Sequence, residues 1–91
     1  GRSPAFNVRQ MKRLGAGTFD VQLFVEEGYI RSLSIYGDFF GLGEVKELTD
    51  KLTGVRFDAV SVAEALEGID LTYYFGPVTM EEWLELLFHS A

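Results

Sequence analysis

The stretch from Gly17 to Phe40, Gly-Thr-Phe-Asp-Val-Gln-Leu-Phe-Val-Glu-Glu-Gly-Tyr-Ile-Arg-Ser-Leu-Ser-Ile-Tyr-Gly-Asp-Phe-Phe, decides how this chain folds. Two runs rich in β-branched and aromatic residues flank Glu26-Glu27-Gly28. In the first run Phe19, Val21, Leu23 and Val25 alternate with Asp20, Gln22, Phe24 and Glu26. Period-two alternation puts one set on each face of a strand, so the spacing predicts a strand over about Thr18 to Glu26. The second run predicts another over about Tyr29 to Tyr36. The turn between them sets the register. A two-residue Glu-Gly loop puts Val21 across from Ser34 and Leu33 across from Gln22, an apolar–polar mismatch. A three-residue loop, Glu26-Glu27-Gly28, puts Val21 across from Leu33 and Phe19 across from Ile35. It also gives Gly28 the left-handed position of such a hairpin. The sequence therefore favours the three-residue loop, with Phe24 and Ile30 paired on the other face.

Outward from this hairpin, Phe6 to Leu14 predicts a further strand. Phe6, Val8, Gln10, Lys12 and Leu14 share one side; Asn7, Arg9, Met11 and Arg13 share the other. Neither side is cleanly apolar, which suits an edge strand whose charges discourage sheet-to-sheet pairing. Gly15-Ala16-Gly17 joins it to the next strand. This turn is not a phosphate loop, because it precedes a strand and lacks the Lys-Ser/Thr ending. After the corner the pattern changes to helical spacing. Val45, Leu48 and Leu52 mark a helix from Gly43 or Glu44 to Leu52, stopped by Gly54. Val55-Arg56-Phe57 is a short extended piece. Asp58, or Ser61 with Glu64, caps a second helix from about Asp58 to Leu66. Asp70 to Phe75 forms a single helical turn, with Asp70 better explained as a cap than as a general acid or base. Thr79 and Glu82 make a capping box for a helix from Met80 to Phe88, with Met80, Trp83, Leu84, Leu87 and Phe88 inward. Three strands followed by about three helices predict an α+β fold, a three-stranded antiparallel meander with the helices on one face.

The 91 residues allow one domain. A 47% hydrophobic share supports a core and argues against disorder. The absence of cysteine excludes disulfides, thiolate metal sites, iron–sulfur ligation and cysteine nucleophiles. It also fits a reducing compartment. No apolar run reaches the length of a membrane span and no secretion signal is expected. Gly1 in place of methionine reads as a processed or cut chain, with Gly1 to Pro4 as a linker. The net charge of −6 disfavours nucleic-acid binding, although Arg2, Arg9, Lys12 and Arg13 make the first thirteen residues basic. His89, the only histidine, lies two residues from the end and suits frayed surface better than catalysis.

The feature that asks for explanation is Gly37-Asp38-Phe39-Phe40. Two adjacent aromatics cannot both face one core in continuing strand geometry. Asp38 is placed to bond backbone N–H groups two residues on and fix a turn. The segment is therefore a structural corner or a contact surface for another domain. Arg9, Lys12 and Arg13 form a candidate partner-facing strip.

Gly1-Arg2-Ser3-Pro4-Ala5-Phe6, the hairpin, Tyr36-Gly37-Asp38-Phe39-Phe40, Leu52-Thr53-Gly54-Val55-Arg56-Phe57 and Tyr74-Phe75-Gly76 together resemble the C-terminal accessory domain of bacterial lipoate–protein ligases. The likeness covers essentially the whole chain. It implies a linker over residues 1–5 and a single domain over 6–91. It implies that ATP, Mg and lipoate are bound by a large catalytic domain of the same protein. That domain makes lipoyl-AMP and lipoylates a lysine of an acceptor domain. No catalytic, cofactor or metal residue is then expected in the small domain, which would be inactive alone and cytoplasmic, with no nucleic acid or membrane partner. The resemblance extends to the SufE/NifU-type iron–sulfur scaffold fold, whose metal role needs cysteines that this chain lacks. A stand-alone protein-interaction module on the same fold is the alternative.

Overall fold

The computed structural model describes residues 5–89. The chain runs β1 (Val8–Leu14), β2 (Gly17–Glu26), β3 (Tyr29–Gly37), α1 (Val45–Leu52), α2 (Ala59–Ala65), α3 (Leu71–Phe75) and α4 (Met80–Phe88). The strands form one antiparallel sheet in the order β1-β2-β3. The short turn over Asp70 to Phe75 is thus a fourth helix among the described residues. Asp58, Asp70 and Thr79 cap α2, α3 and α4 through their side chains. The Thr79–Glu82 capping box is formed in both directions. The Ser61–Glu64 alternative is not used, because Asp58 accepts from the Ser61 N–H at 2.7 Å.

The hairpin departs from the expected register. Glu26 pairs with Tyr29, so the loop has two residues, Glu27 and Gly28. Both have positive φ, 55° and 84°, the pattern of a type I′ turn. Farther down, Val21 faces Ile35 and Leu23 faces Leu33. A register shift between Phe24 and Val25 reconciles the two halves, because Phe24 faces Ser32 while Val25 faces Ile30. Arg31 is the extra residue of a bulge, which turns the side-chain alternation over once. Ile30 therefore joins the core at 0% exposure instead of pairing with Phe24 on the outer face. Tight turn and apolar register are both satisfied, at the cost of one unpaired residue. Glutamate at φ 55° is strained relative to asparagine. Glu27→Asn is accordingly expected to raise stability by about 0.5 kcal/mol, measured by the urea midpoint at unchanged m-value.

Asn7 extends the sheet beyond β1. Its N–H donates to the Leu23 carbonyl at 2.9 Å. Its side-chain amide pairs with the Val25 backbone both ways, at 2.7 and 2.8 Å. The outer edge of β3 is partly covered by Val55-Arg56-Phe57. The Ile30 N–H donates to Val55 at 2.8 Å, and the Phe57 N–H to Gly28 at 2.8 Å.

The helices cover the face carrying Phe19, Val21 and Leu23: α1 packs against β3, α4 against β1, and α2 against both of these helices. Those three side chains are fully buried with Leu48, Leu52, Val62, Phe75, Trp83 and Leu87. α4 crosses β1, where Gln10 Nε2 reaches the Leu87 carbonyl at 3.3 Å and Lys12 Nζ reaches Glu85 at 2.9 Å. Leu86, which the helical spacing had not placed inward, is also buried. At one end of the core the aromatic rings meet. Phe19 stacks on Phe39 (4.9 Å, 8°) and meets Phe75 edge-on at 5.2 Å. Phe75 in turn stacks on Trp83 at 5.2 Å. The opposite face of the sheet carries Arg9, Met11, Gln22, Ser32, Ser34 and Tyr36. An antiparallel sheet tolerates such a solvated face.

Three carboxylates are held below their ordinary range. Asp20 is lowered by hydrogen bonds from Arg9, Asp58 by the Ser61 backbone, and Glu85 by the hydrogen bond from Lys12. A carboxyl group with a depressed folded pKa contributes stability that is present above its unfolded value near 4. That stability is lost as pH falls through the folded value. Urea midpoints are expected to be flat from pH 7 to about pH 5 and to fall below about pH 4.

Candidate functional site

The corner after β3 is built by its backbone. β3 ends with Gly37 across from Phe19, where an added Cβ would collide with the Thr18 carbonyl. Asp38 then turns back. Its Oδ1 accepts from the Thr18 N–H at 2.7 Å, so it ties the corner to the start of β2, twenty residues upstream, and not to residues just ahead of it. The close fit needs Gly17, whose Cβ would lie 2.5 Å from that same oxygen. Phe39 points inward, stacked on Phe19 and edge-on to Phe75 at 5.0 Å. Phe40 points outward and is 90% exposed. The two neighbouring aromatics thus split, one to the core and one to solvent.

The loop continues along α3. The N–H groups of Leu42 and Gly43 both donate to the Tyr73 carbonyl, at 2.8 and 3.0 Å. Gly41 lies so close to the Tyr74 carbonyl that a Cβ has no room, and Gly43 sits against the rings of Tyr73 and Tyr74. These contacts leave Leu42 facing away from the protein, 88% exposed. Burial, then the neighbouring Glu47 charge, holds the Tyr74 hydroxyl above the usual phenol range. The result is a backbone-pinned loop that presents two large apolar side chains, Phe40 and Leu42. Leu42 escaped the reading of the sequence. Its signal was a leucine between two glycines, where close backbone approach on both sides leaves the middle side chain only the outward direction.

The basic residues of β1 are not gathered with this corner or with each other. Arg9 lies on the open face, bound to Asp20 through both Nε (3.0 Å) and Nη2 (2.8 Å). Lys12 lies on the helix side, paired with Glu85. Arg13 is exposed on the open face, across from Thr18 and so near the Asp38 end of the sheet. His89 is exposed at the end of α4. Among the described residues no group of three or more His, Cys, Asp or Glu side chains converges as a metal site. None of their helices is long and apolar enough to cross a membrane.

Comparison of the sequence with known proteins points to a family. Residues 3–87 match the family described as bacterial lipoate protein ligase C-terminus. Lipoate-protein ligase LplJ of Bacillus subtilis is 42% identical over 97% of this chain and 27% of its own length. Lipoate–protein ligase 2 of Staphylococcus aureus is 37% identical over 96% of this chain and 26% of its own. A lipoate–protein ligase of Streptococcus pyogenes is 39% identical over 97% and 26%. The chain therefore spans about a quarter of the length of these relatives. It belongs to the family of C-terminal domains of bacterial lipoate–protein ligases.

Proposed function

We propose that this domain is the non-catalytic accessory part of a lipoate–protein ligase. In this reading a larger domain, preceding it in the same protein, binds lipoate, ATP and Mg. That domain forms lipoyl-AMP and passes the lipoyl group to a lysine of an acceptor domain in the cytoplasm. Residues 1–5 are the linker, of which 1–4 lie outside the described residues, and 6–91 are the accessory domain. The present domain contributes by packing against the catalytic domain. Such packing excludes water from a reactive acyl-adenylate, and a hinge at the linker lets the domain reorient afterwards.

The observation that carries this reading is the pinned corner. Gly37, Asp38 and Phe39 supply its frame and Phe40 its contact. Phe40 is 90% exposed and Leu42, two residues on, is 88% exposed, so the corner shows water two large apolar side chains together, which a covering partner accounts for. Arg13, exposed on the open sheet face, is the basic group placed for a secondary contact; Arg9 is already engaged by Asp20 and Lys12 by Glu85. A likeness in fold to the SufE/NifU-type scaffold is compatible with the meander followed by helices. The chain has no thiol with which to hold an iron–sulfur cluster.

The test separates the two half-reactions. The parent ligase with and without the accessory domain is assayed first for lipoyl-AMP formation, then for transfer from supplied lipoyl-AMP to an acceptor domain. Loss of the first activity on removal supports the proposal. Unchanged rates in both halves would leave the stand-alone interaction module as the better reading.

A further inference from the structure

The corner does more than offer one aromatic residue. We propose that Phe40 and Leu42 form a two-pronged anchor that seats in an apolar pocket, bordered by basic side chains, on the preceding domain of the same ligase. This rests on the accessory-domain reading above and adds to it the site, the occupant and the chemistry of the surface it meets.

Three observations point to that occupant. The first is preorganisation. Asp38 fixes one end of the loop to Thr18, and Leu42 and Gly43 fix the other to Tyr73, so both prongs are held before contact. Rigid presentation removes the ordering cost that a flexible loop would meet on binding. The second is charge. Glu44 and Glu47 follow the prongs directly and are exposed, while Lys46 beside them is taken up by Asp50 at 2.8 Å. An acidic flank around an apolar centre complements a basic-rimmed pocket. The third is the remaining chain. The relatives carry about three quarters of their length outside the matched region, which is their C-terminal part. The chain enters this domain beside Asn7 and Leu23, at the opposite end of the sheet from the corner. Seven residues of β1 separate the two ends by about 20 Å. While the anchor is seated, a tether at one end and the anchor at the other fix the orientation of the domain with two attachments.

The test uses the full-length ligase. A photoreactive benzoylphenylalanine in place of Phe40 is expected to cross-link, within one molecule, to a segment of the preceding domain that combines apolar and Lys/Arg side chains. The same probe in place of Val60, exposed on α2 away from the corner, is expected not to. Cross-linking to a second copy, to an acceptor protein, or no better than from position 60 overturns the proposal. The double variant Phe40→Ser/Leu42→Ser is then compared with the parent. Burial of two such side chains is worth more than a factor of ten in a docking equilibrium. Lipoyl-AMP formation is therefore expected to fall at least about tenfold at unchanged Tm. If removal of the whole domain abolishes that step while the double variant keeps it, the anchor is wrong and the accessory reading stands. If removal changes nothing, both fall.

Discussion

Phe19→Ala is expected to lower the unfolding free energy by about 3–5 kcal/mol. Phe19 has no exposed surface and is touched by the rings of Phe39, Phe75 and Trp83. Truncation removes the transfer free energy of the ring. It also leaves a cavity that three rigid neighbours cannot collapse to fill. A domain of this size has roughly 5–14 kcal/mol in total, so the variant should sit near its unfolding transition at ambient temperature. Guanidinium or urea midpoints measure the loss directly. A cost below about 1.5 kcal/mol would mean that the aromatic cluster is not the centre of the core. The same substitution removes the stacking partner of Phe39, so it should also loosen the corner. Amide exchange of Leu42 and Gly43 is expected to accelerate with it.

Gly41→Ala is the second large effect. One methyl group is added, yet it has no space, because the Tyr74 carbonyl occupies the position. Relief requires the loop to lift from α3, which breaks the hydrogen bonds from Leu42 and Gly43 to the Tyr73 carbonyl. The expected cost is about 2–4 kcal/mol, comparable to overpacking a core together with losing backbone hydrogen bonds. The informative comparison is Leu42→Ala, one residue away. It removes more atoms but from solvent, and is expected to change stability by less than about 0.5 kcal/mol. Equal effects at the two positions would show that the loop is not pinned by its backbone.

These two residues also mark what the sequence reveals and what it hides. The helix caps were legible because each is a local matter of one side chain and a backbone N–H three residues away or fewer, as at Asp58, Asp70 and Thr79. The two core-facing rows of the hairpin were legible because alternation alone assigns Phe19, Val21, Leu23, Leu33 and Ile35 to one face. The register was not. Choosing between loops by apolar matching assumed an uninterrupted strand, and the bulge at Arg31 breaks that assumption. No residue type near Arg31 announces a bulge, so Ile30 was assigned to the wrong face. At the corner, the need for Phe39 and Phe40 to diverge followed from strand geometry. Which one goes inward depended on the rings of Phe19 and Phe75, both far away in sequence. The bond from Asp38 to Thr18 was hidden for the same reason: a local turn residue was used for a long-range tie. Proximity in sequence grouped Arg9, Lys12 and Arg13, whereas the pleat sends Lys12 to Glu85 and the other two to the open face.

The stability of this domain and its proposed role thus meet at one segment. Gly37 to Gly43 is held from beneath by Phe39 in the aromatic cluster and from the side by α3. That support leaves Phe40 and Leu42 fixed and uncovered. Substitutions beneath the loop should lower stability and activity together, whereas those at its exposed tips should lower activity alone.

The most direct measurement is lipoyl-AMP formation by the proposed catalytic domain in isolation, followed alone, with residues 1–91 added in trans, and with the Phe40→Ser/Leu42→Ser form added in their place. A low rate is expected alone, a rise with the wild-type domain, and little or none with the double variant despite its intact fold. Equal rates in all three mixtures would contradict the proposed role.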